Sequence, residues 1–323
     1  MKKILVTGAA GYIGSVLVRQ LLQKGFFVKG FDILNFGGES LLGIYNNSNF
    51  EFVKGDIRDE VIMRQAIKDI DAVIHLAAIV GDPACARQPK IAEETNWIGS
   101  KMLFDICNSS TNIKNFIFAS TCSNYGKASD NSILNEESPL KPVSLYAELK
   151  VKFENYLVNT PIKYKLTPTS LRFATVYGIS PRMRFDLTVN EFIRDVTFNK
   201  ELKIFGEQFW RPYCHVEDLA RACVLVLESP YNIVDRNIFN VGSTKENYQK
   251  KMIADEILKF IPNAKITYIK KDEDPRDYCV NFDKIQKQLG FSISKIVPDG
   301  LREINNILRL GLITSPWSDI YKN

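Results

Sequence analysis

The sequence predicts an α/β protein: a doubly wound parallel sheet followed by a smaller mixed α/β lobe. The first sign is an apolar run, Lys2 to Thr7, that enters Gly8-Ala-Ala-Gly11-Tyr12-Ile13-Gly14 directly, after which Val16, Leu17, Leu21 and Leu22 recur at helical spacing. The second is a regular alternation of strand-like and helix-like segments up to about Tyr177. The third is a loss of that order beyond it, where Pro181, Gly206, Pro212, Pro230 and Pro262 cut the chain into short pieces mixed with aromatics and arginines.

Each element follows from its pattern. Strand, glycine turn and helix at the N-terminus form the context in which three glycines make a dinucleotide site: the backbone turns tightly and its amides meet a pyrophosphate at the helix N-terminus. Phe26 to Phe31 reads as a second buried strand ending at Asp32, about twenty residues on, where a carboxylate accepts hydrogen bonds from an adenosine ribose and repels a 2′-phosphate. NAD is therefore expected rather than NADP. Phe50 to Asp56 ends a third strand, and from spacing alone Asp56 reads either as a hydrogen-bond partner of the adenine or as a plain loop aspartate. A helix near Asp59–Lys68, a strand Ala72–Leu76, a long helix from about Ile91 to Cys107 and a strand Asn115–Ser120 follow. A helix around Tyr146–Val158 and a strand near Leu166–Phe173 complete the series. In such a sheet ligands bind beyond the carboxyl ends of the strands.

Tyr146 and Lys150 stand out. Of thirteen tyrosines only Tyr146 has a lysine four residues later, and on a helix the two share a face. An ammonium beside a phenol favours the phenolate, which can then take a proton from a sugar or alcohol hydroxyl near neutral pH.

Composition narrows the class. The 323-residue chain is 24% charged and has no apolar run near twenty residues, so no membrane span is expected. The net charge of +5 is spread along the chain, which gives nucleic-acid binding little support and suits an anionic small substrate. Six scattered cysteines without a C-x-x-C, and only two histidines, His75 and His215, argue against a disulfide scaffold and a metal site. No leader is read at the N-terminus, and reduced thiols in the cytoplasm are expected.

The motifs together resemble the extended short-chain dehydrogenase/reductases, and within them the nucleotide-sugar epimerase/dehydratase family. The glycine turn, Asp56-Ile57, His75-Leu76-Ala77-Ala78, Asn96, Ser120-Thr121-Cys122-Ser123-Asn124-Tyr125-Gly126, Tyr146-x-x-x-Lys150, Leu171 to Gly178 and Arg211 to Asp218 occur in the family's order over nearly the whole chain. Ile179 to Asn190 and Asp274 to Tyr278 are similar to members acting in bacterial surface-polysaccharide synthesis, of the GDP-heptose 4-dehydrogenase and nucleotide-sugar 4-epimerase kinds.

The resemblance implies a Rossmann-type NAD-binding domain over 1–178, to which a segment about 214–243 returns, and a substrate lobe from 179–213 and 244–323. It assigns Tyr146 as acid or base, Lys150 as the group holding the nicotinamide ribose, and Thr121 as the hydroxyl on the reacting oxygen. Tyr12, Ile13, Ile57, Leu76, Ala77, Ala78, Asn96 and Phe173 join Gly8, Gly11, Gly14, Asp32 and Asp56 around NAD. Cys122, Ser123, Asn190, Arg182, Arg184, Arg211 and Arg276 fall to a GDP-, UDP-, dTDP- or CDP-linked sugar, since guanidinium groups bind phosphate oxygens in bidentate fashion. Asp218 is expected to brace the His215 segment, and His75 to be a satisfied core histidine.

The implied chemistry is oxidation at C4 of the sugar, as a 4-epimerase or as a 4-dehydrogenase or reductase. The family's 4,6-dehydratases follow their threonine with Asp-Glu, where this chain has Cys122-Ser123, so dehydration is disfavoured. A non-sugar alcohol dehydrogenase or a non-catalytic dinucleotide sensor are the alternatives. The helices near 91–107 and 146–158 correspond to a four-helix interface in the family, implying a homodimer.

Overall fold

The computed structural model describes residues 1–127, 132–271 and 276–323. Seven parallel strands form the main sheet: β1 (Lys3–Thr7), β2 (Phe27–Asp32), β3 (Phe50–Lys54), β4 (Ala72–His75), β5 (Asn115–Thr121), β6 (Thr167–Phe173) and β7 (Asn237–Val241). Their order is β7-β6-β5-β4-β1-β2-β3. The chain runs outward from β1 to β3, then crosses back to β4 on its other side, so the switch point lies between β1 and β4, with the glycine turn above it.

The strands are apolar along their length because helices cover both faces. One apolar cluster joins Leu5, Phe31, Val73, Phe104, Phe116, Phe118 and Phe153. A larger one runs without a break from Ile4 and Val6 through Leu17 to Ile253, Leu301 and Leu308 in the C-terminal part.

Local chemistry sets the helix starts. Helix α1 (Tyr12–Gln23) begins at Gly11 in extended backbone. The helix Glu60–Ala66 is capped by Asp59, whose carboxylate accepts from Val61 N and Ile62 N. Helix α2 (Leu145–Asn159) is capped by Ser144, which accepts from Ala147 N.

The long helix expected over 91–107 is more broken than its periodicity suggests. It runs as Pro89–Glu93, a π-helical turn Glu94–Gly99, then Ser100–Asn108. The wider turn inserts a residue that simple 3.6-residue spacing does not register.

Past β6 the chain builds smaller sheets. Thr175–Tyr177 pairs with Tyr213–His215, Trp210–Pro212 pairs with Asn247–Gln249, and Leu202–Phe205 pairs with Ile266–Ile269. Helix α3 (Val216–Glu228) packs on α1, and β7 then pairs with β6 in the main sheet.

Candidate active site

The glycine turn leaves β1 with Gly8 at φ +75°, and a Cβ there would lie 2.8 Å from Ala77 N. A Cβ at Gly14 would run into the Gly8 carbonyl. Backbone thus meets backbone where the turn passes the loop after β4, and the amides at the start of α1 are left uncovered for an anion. Asp32 closes this cradle from β2: its carboxylate accepts from Ala10 N at 3.0 Å and Leu34 N at 2.8 Å. Burial pushes its pKa up against the pull of those amides.

The far wall is fixed by a second set of contacts. His75 is hydrogen-bonded to Thr7 Oγ1 at 2.7 Å and Ser100 Oγ at 2.9 Å. Burial lowers its pKa to about 3, so the ring is neutral. Asn96, inside the π-helical turn, clasps one peptide group: Oδ1 accepts from Ile79 N at 2.8 Å and Nδ2 donates to Ile79 O at 2.9 Å. The loop carrying Leu76, Ala77 and Ala78 is held between these anchors. Ile57 is buried against Gly99.

Asp56 is paired within its own loop. Arg58 donates to its carboxylate at 2.6 to 3.1 Å and reaches Glu94 at 3.0 Å, and this pairing holds Asp56 below the usual carboxylate range. The guanidinium two residues on is a partner that the spacing alone does not show, and it fixes the orientation of the carboxylate.

Three expected reactive groups share the C-terminal edge of β5. Thr121 ends the strand, pairs with Phe173 at the end of β6, and accepts from Ser123 N at 3.1 Å, which leaves its O–H to donate elsewhere. Tyr146 stands in the first turn of α2. Lys150, one turn on, is 4% exposed; its Nζ donates to Ala119 O at 2.7 Å and lies 4.6 Å from the Phe118 ring centre and 5.8 Å from that of Tyr146.

The expected lowering of the phenol pKa is absent. Burial, reinforced by Cys85 and Asp82, pushes Tyr146 above its ordinary value, while burial pulls Lys150 down to about 7. Two groups one helical turn apart were read as a charge pair, but low dielectric disfavours the charged form of each.

Asp82 is a neighbour the sequence reading did not single out. It accepts from Ser144 Oγ at 2.7 Å, pinning the start of α2, and pairs with Arg276 at 2.9 Å. Tyr278, 3% exposed, is another: its hydroxyl bonds Ser123 and its ring lies 5.4 Å from the Arg211 guanidinium. A tyrosine two residues after Arg276 was the available signal. Asp274 and Pro275 lie outside the described residues.

The remaining expected substrate groups separate. Arg211 and Arg276 converge on this edge through Tyr278 and Asp82. Arg184 pairs in bidentate fashion with Asp186 at 2.8 and 2.9 Å and acts on the charge of Tyr146. Cys122 does not face a ligand: it is buried and its thiol donates to Arg172 O at 3.2 Å.

Asn190 is a brace. Fully buried, it accepts from Gly178 N at 3.0 Å and donates to Tyr12 Oη at 3.0 Å and Arg184 O at 2.8 Å, so its amide is committed. Asp218 braces too, but through Ser294, Lys295 and Arg221. His215 instead bonds Glu303 at 2.6 Å.

Comparison with known proteins shows the family and the fold. The sequence model described as the NAD dependent epimerase/dehydratase family matches residues 4–242. The chain is 28% identical over 309 residues to a UDP-glucose 4-epimerase of Lactobacillus helveticus, covering 90% of this chain and 91% of that one. Among solved structures, UDP-glucuronic acid 4-epimerase from Bacillus cereus, in complex with UDP-glucuronic acid and NAD, superposes with a TM-score of 0.85 at 28% identity, covering 95% and 99% of the two chains. A dTDP-glucose 4,6-dehydratase from Bacillus anthracis in complex with NAD reaches the same TM-score at 24% identity over 100% of both chains, a likeness of fold.

Proposed function

This chain belongs to the NAD-dependent epimerase/dehydratase family, and from that premise we propose that it is a 4-epimerase of a nucleotide-diphosphate sugar. NAD is its cofactor; the glycine cradle and Asp32 would hold the adenosine diphosphate part, and Lys150 and Phe173 the nicotinamide end. NAD held there would supply the two-electron hydride chemistry at C4. The protein's own groups handle the proton: Thr121 donates to the C4 oxygen and Tyr146 removes or restores its proton. Lys150, protonated once an acceptor joins it, holds the phenolate in place. Arg184, Arg211 and Arg276 meet the diphosphate and sugar in the lobe made by 179–213 and 244–323.

The observation that supports this reading is that Lys150, on the helix face it shares with Tyr146, donates to Ala119 on the strand that Thr121 ends, while Cys122 and Ser123 follow that threonine. Where a dehydratase needs Asp-Glu, Cys122 is a buried neutral thiol whose pKa burial raises, and Ser123 is bonded to Tyr278.

We place the enzyme in the cytoplasm as a homodimer that serves surface-polysaccharide synthesis. No helix among the described residues is long and apolar enough to cross a membrane. Exposed Ile98 and Ile91 on the 89–108 helix support the dimer.

The test is incubation of the NAD-loaded protein with UDP-, GDP-, dTDP- and CDP-linked hexoses and uronates, followed by NMR of the products. Expected is the C4 epimer with no net NADH. Accumulation of a 4-keto sugar with stoichiometric NADH would make it a 4-dehydrogenase, and a 6-deoxy-4-keto product would sink the reading.

A further inference from the structure

Arg182 and Arg184 are two residues apart, yet they serve different ends of the site. Arg184 turns to Asp186 and the charge of Tyr146. Arg182 turns back over the dinucleotide half. Its segment is fastened to the first turn of α1: Ser180 Oγ donates to Tyr12 O at 2.7 Å, lies 3.1 Å from Ser15 Oγ and accepts from Arg182 N at 3.3 Å. The Arg182 guanidinium then lies 4.2 Å from the ring centre of Phe36, four residues beyond Asp32, and donates through Nη2 to Lys322 O at 2.8 Å.

Two features show a group made for a ligand. Arg182 is 6% exposed, and its Nε–H is buried with no hydrogen-bond partner, a donor that would otherwise be an uncompensated penalty. Its charge also acts on Asp32, the carboxylate at the adenosine-ribose end of the cradle. Phe36 is 49% exposed, and the flat guanidinium rests against its ring.

We infer that Arg182 is a cofactor-binding residue, holding the adenosine end of NAD against the loop after β2, rather than a contact to the sugar nucleotide. The inference rests on the family reading only in taking NAD as the ligand of the glycine cradle. It is independent of which sugar is turned over.

The test is calorimetric titration of wild type, Arg182→Gln and Phe36→Ala with NAD, with ADP-ribose and with UDP and GDP. Arg182→Gln is expected to weaken NAD and ADP-ribose at least tenfold while shifting the better-bound nucleoside diphosphate by less than twofold. Phe36→Ala, which removes only the exposed platform, is expected to weaken NAD about threefold with the same selectivity. Loss of nucleoside diphosphate with NAD unchanged would overturn the inference, as would no change in either. If Arg182→Gln weakens both ligands and lowers the melting temperature, Phe36→Ala decides, and unchanged NAD affinity there overturns it. A wild-type protein that binds NAD but turns over no sugar leaves this test intact and removes the epimerase reading alone.

Discussion

Lys150 shows stability and chemistry opposed in a single side chain. Its folded pKa of about 7 lies below the unfolded value of 10.5, so between those values the unfolded chain holds more protons and stability rises with pH. Below pH 7 both states are charged and the burial penalty is fully present. Lys150→Met is therefore expected to be more stable than wild type near neutral pH by about 1–3 kcal/mol, after counting the orphaned Ala119 carbonyl. That gain should shrink as pH approaches 10.5, and turnover should fall at least about 100-fold. Denaturant melts at pH 6, 8 and 10 check the sign; a variant less stable at pH 6 than at pH 10, relative to wild type, contradicts it. Gly14 is the complementary case, where a single methyl is too much. Gly14→Ala drives a Cβ into the Gly8 carbonyl and is expected to weaken NAD at least about tenfold, on the order of 1.4 kcal/mol, measured by titration.

At the scale of elements, the π-helical turn 94–99 decides where the loop after β4 sits. The extra residue brings Asn96 against Ile79, and two hydrogen bonds to one peptide group lock a loop that has no strand to hold it. Asn96→Leu leaves both Ile79 groups without those partners and is expected to weaken NAD by about 1–3 kcal/mol. Hydrogen exchange at Ile79 should quicken with little change in β1 or β5. If exchange rises evenly across the sheet, the clasp is a general stabiliser and not a local one. The 89–108 helix was legible as a helix from its apolar spacing. The π turn was not, because its widening answers to packing against α2 and the β4 loop, contacts made by residues far apart in sequence.

For the whole molecule, one apolar cluster joins the main sheet to the C-terminal helices, and His215 bonds Glu303 across that junction at 2.6 Å. Burial raises the Glu303 pKa, but His215, Lys295 and the Ile179 amide outweigh it and bring it to about 2. The two parts of the chain are thus expected to unfold in a single transition. The same scale governs assembly. Ile98, 54% exposed on the helix that packs against α2, is expected to be covered in a dimer, and Ile98→Asp should yield monomers by light scattering with the melting curve otherwise little changed. A wild-type protein that is monomeric at tens of micromolar would refute this.

What the sequence by itself determined is whatever depends on neighbours along the chain. Three glycines between an apolar run and a periodic helix define the cradle, Asp32 falls at the end of the next strand, and a spacing of four sets Tyr146 and Lys150 on one face. Tertiary structure alone decided what shares a low-dielectric space with what. It turned the Tyr146–Lys150 pair into two desolvated groups, set Cys122 into the core, committed Asn190 to Tyr12 and Gly178, and sent Arg182 toward Asp32 while Arg184 stayed near Tyr146. Side-chain periodicity reports which face a residue occupies. Burial and charge pairing depend on strands and loops that meet across 50 to 178 positions of sequence, and no local pattern encodes those distances.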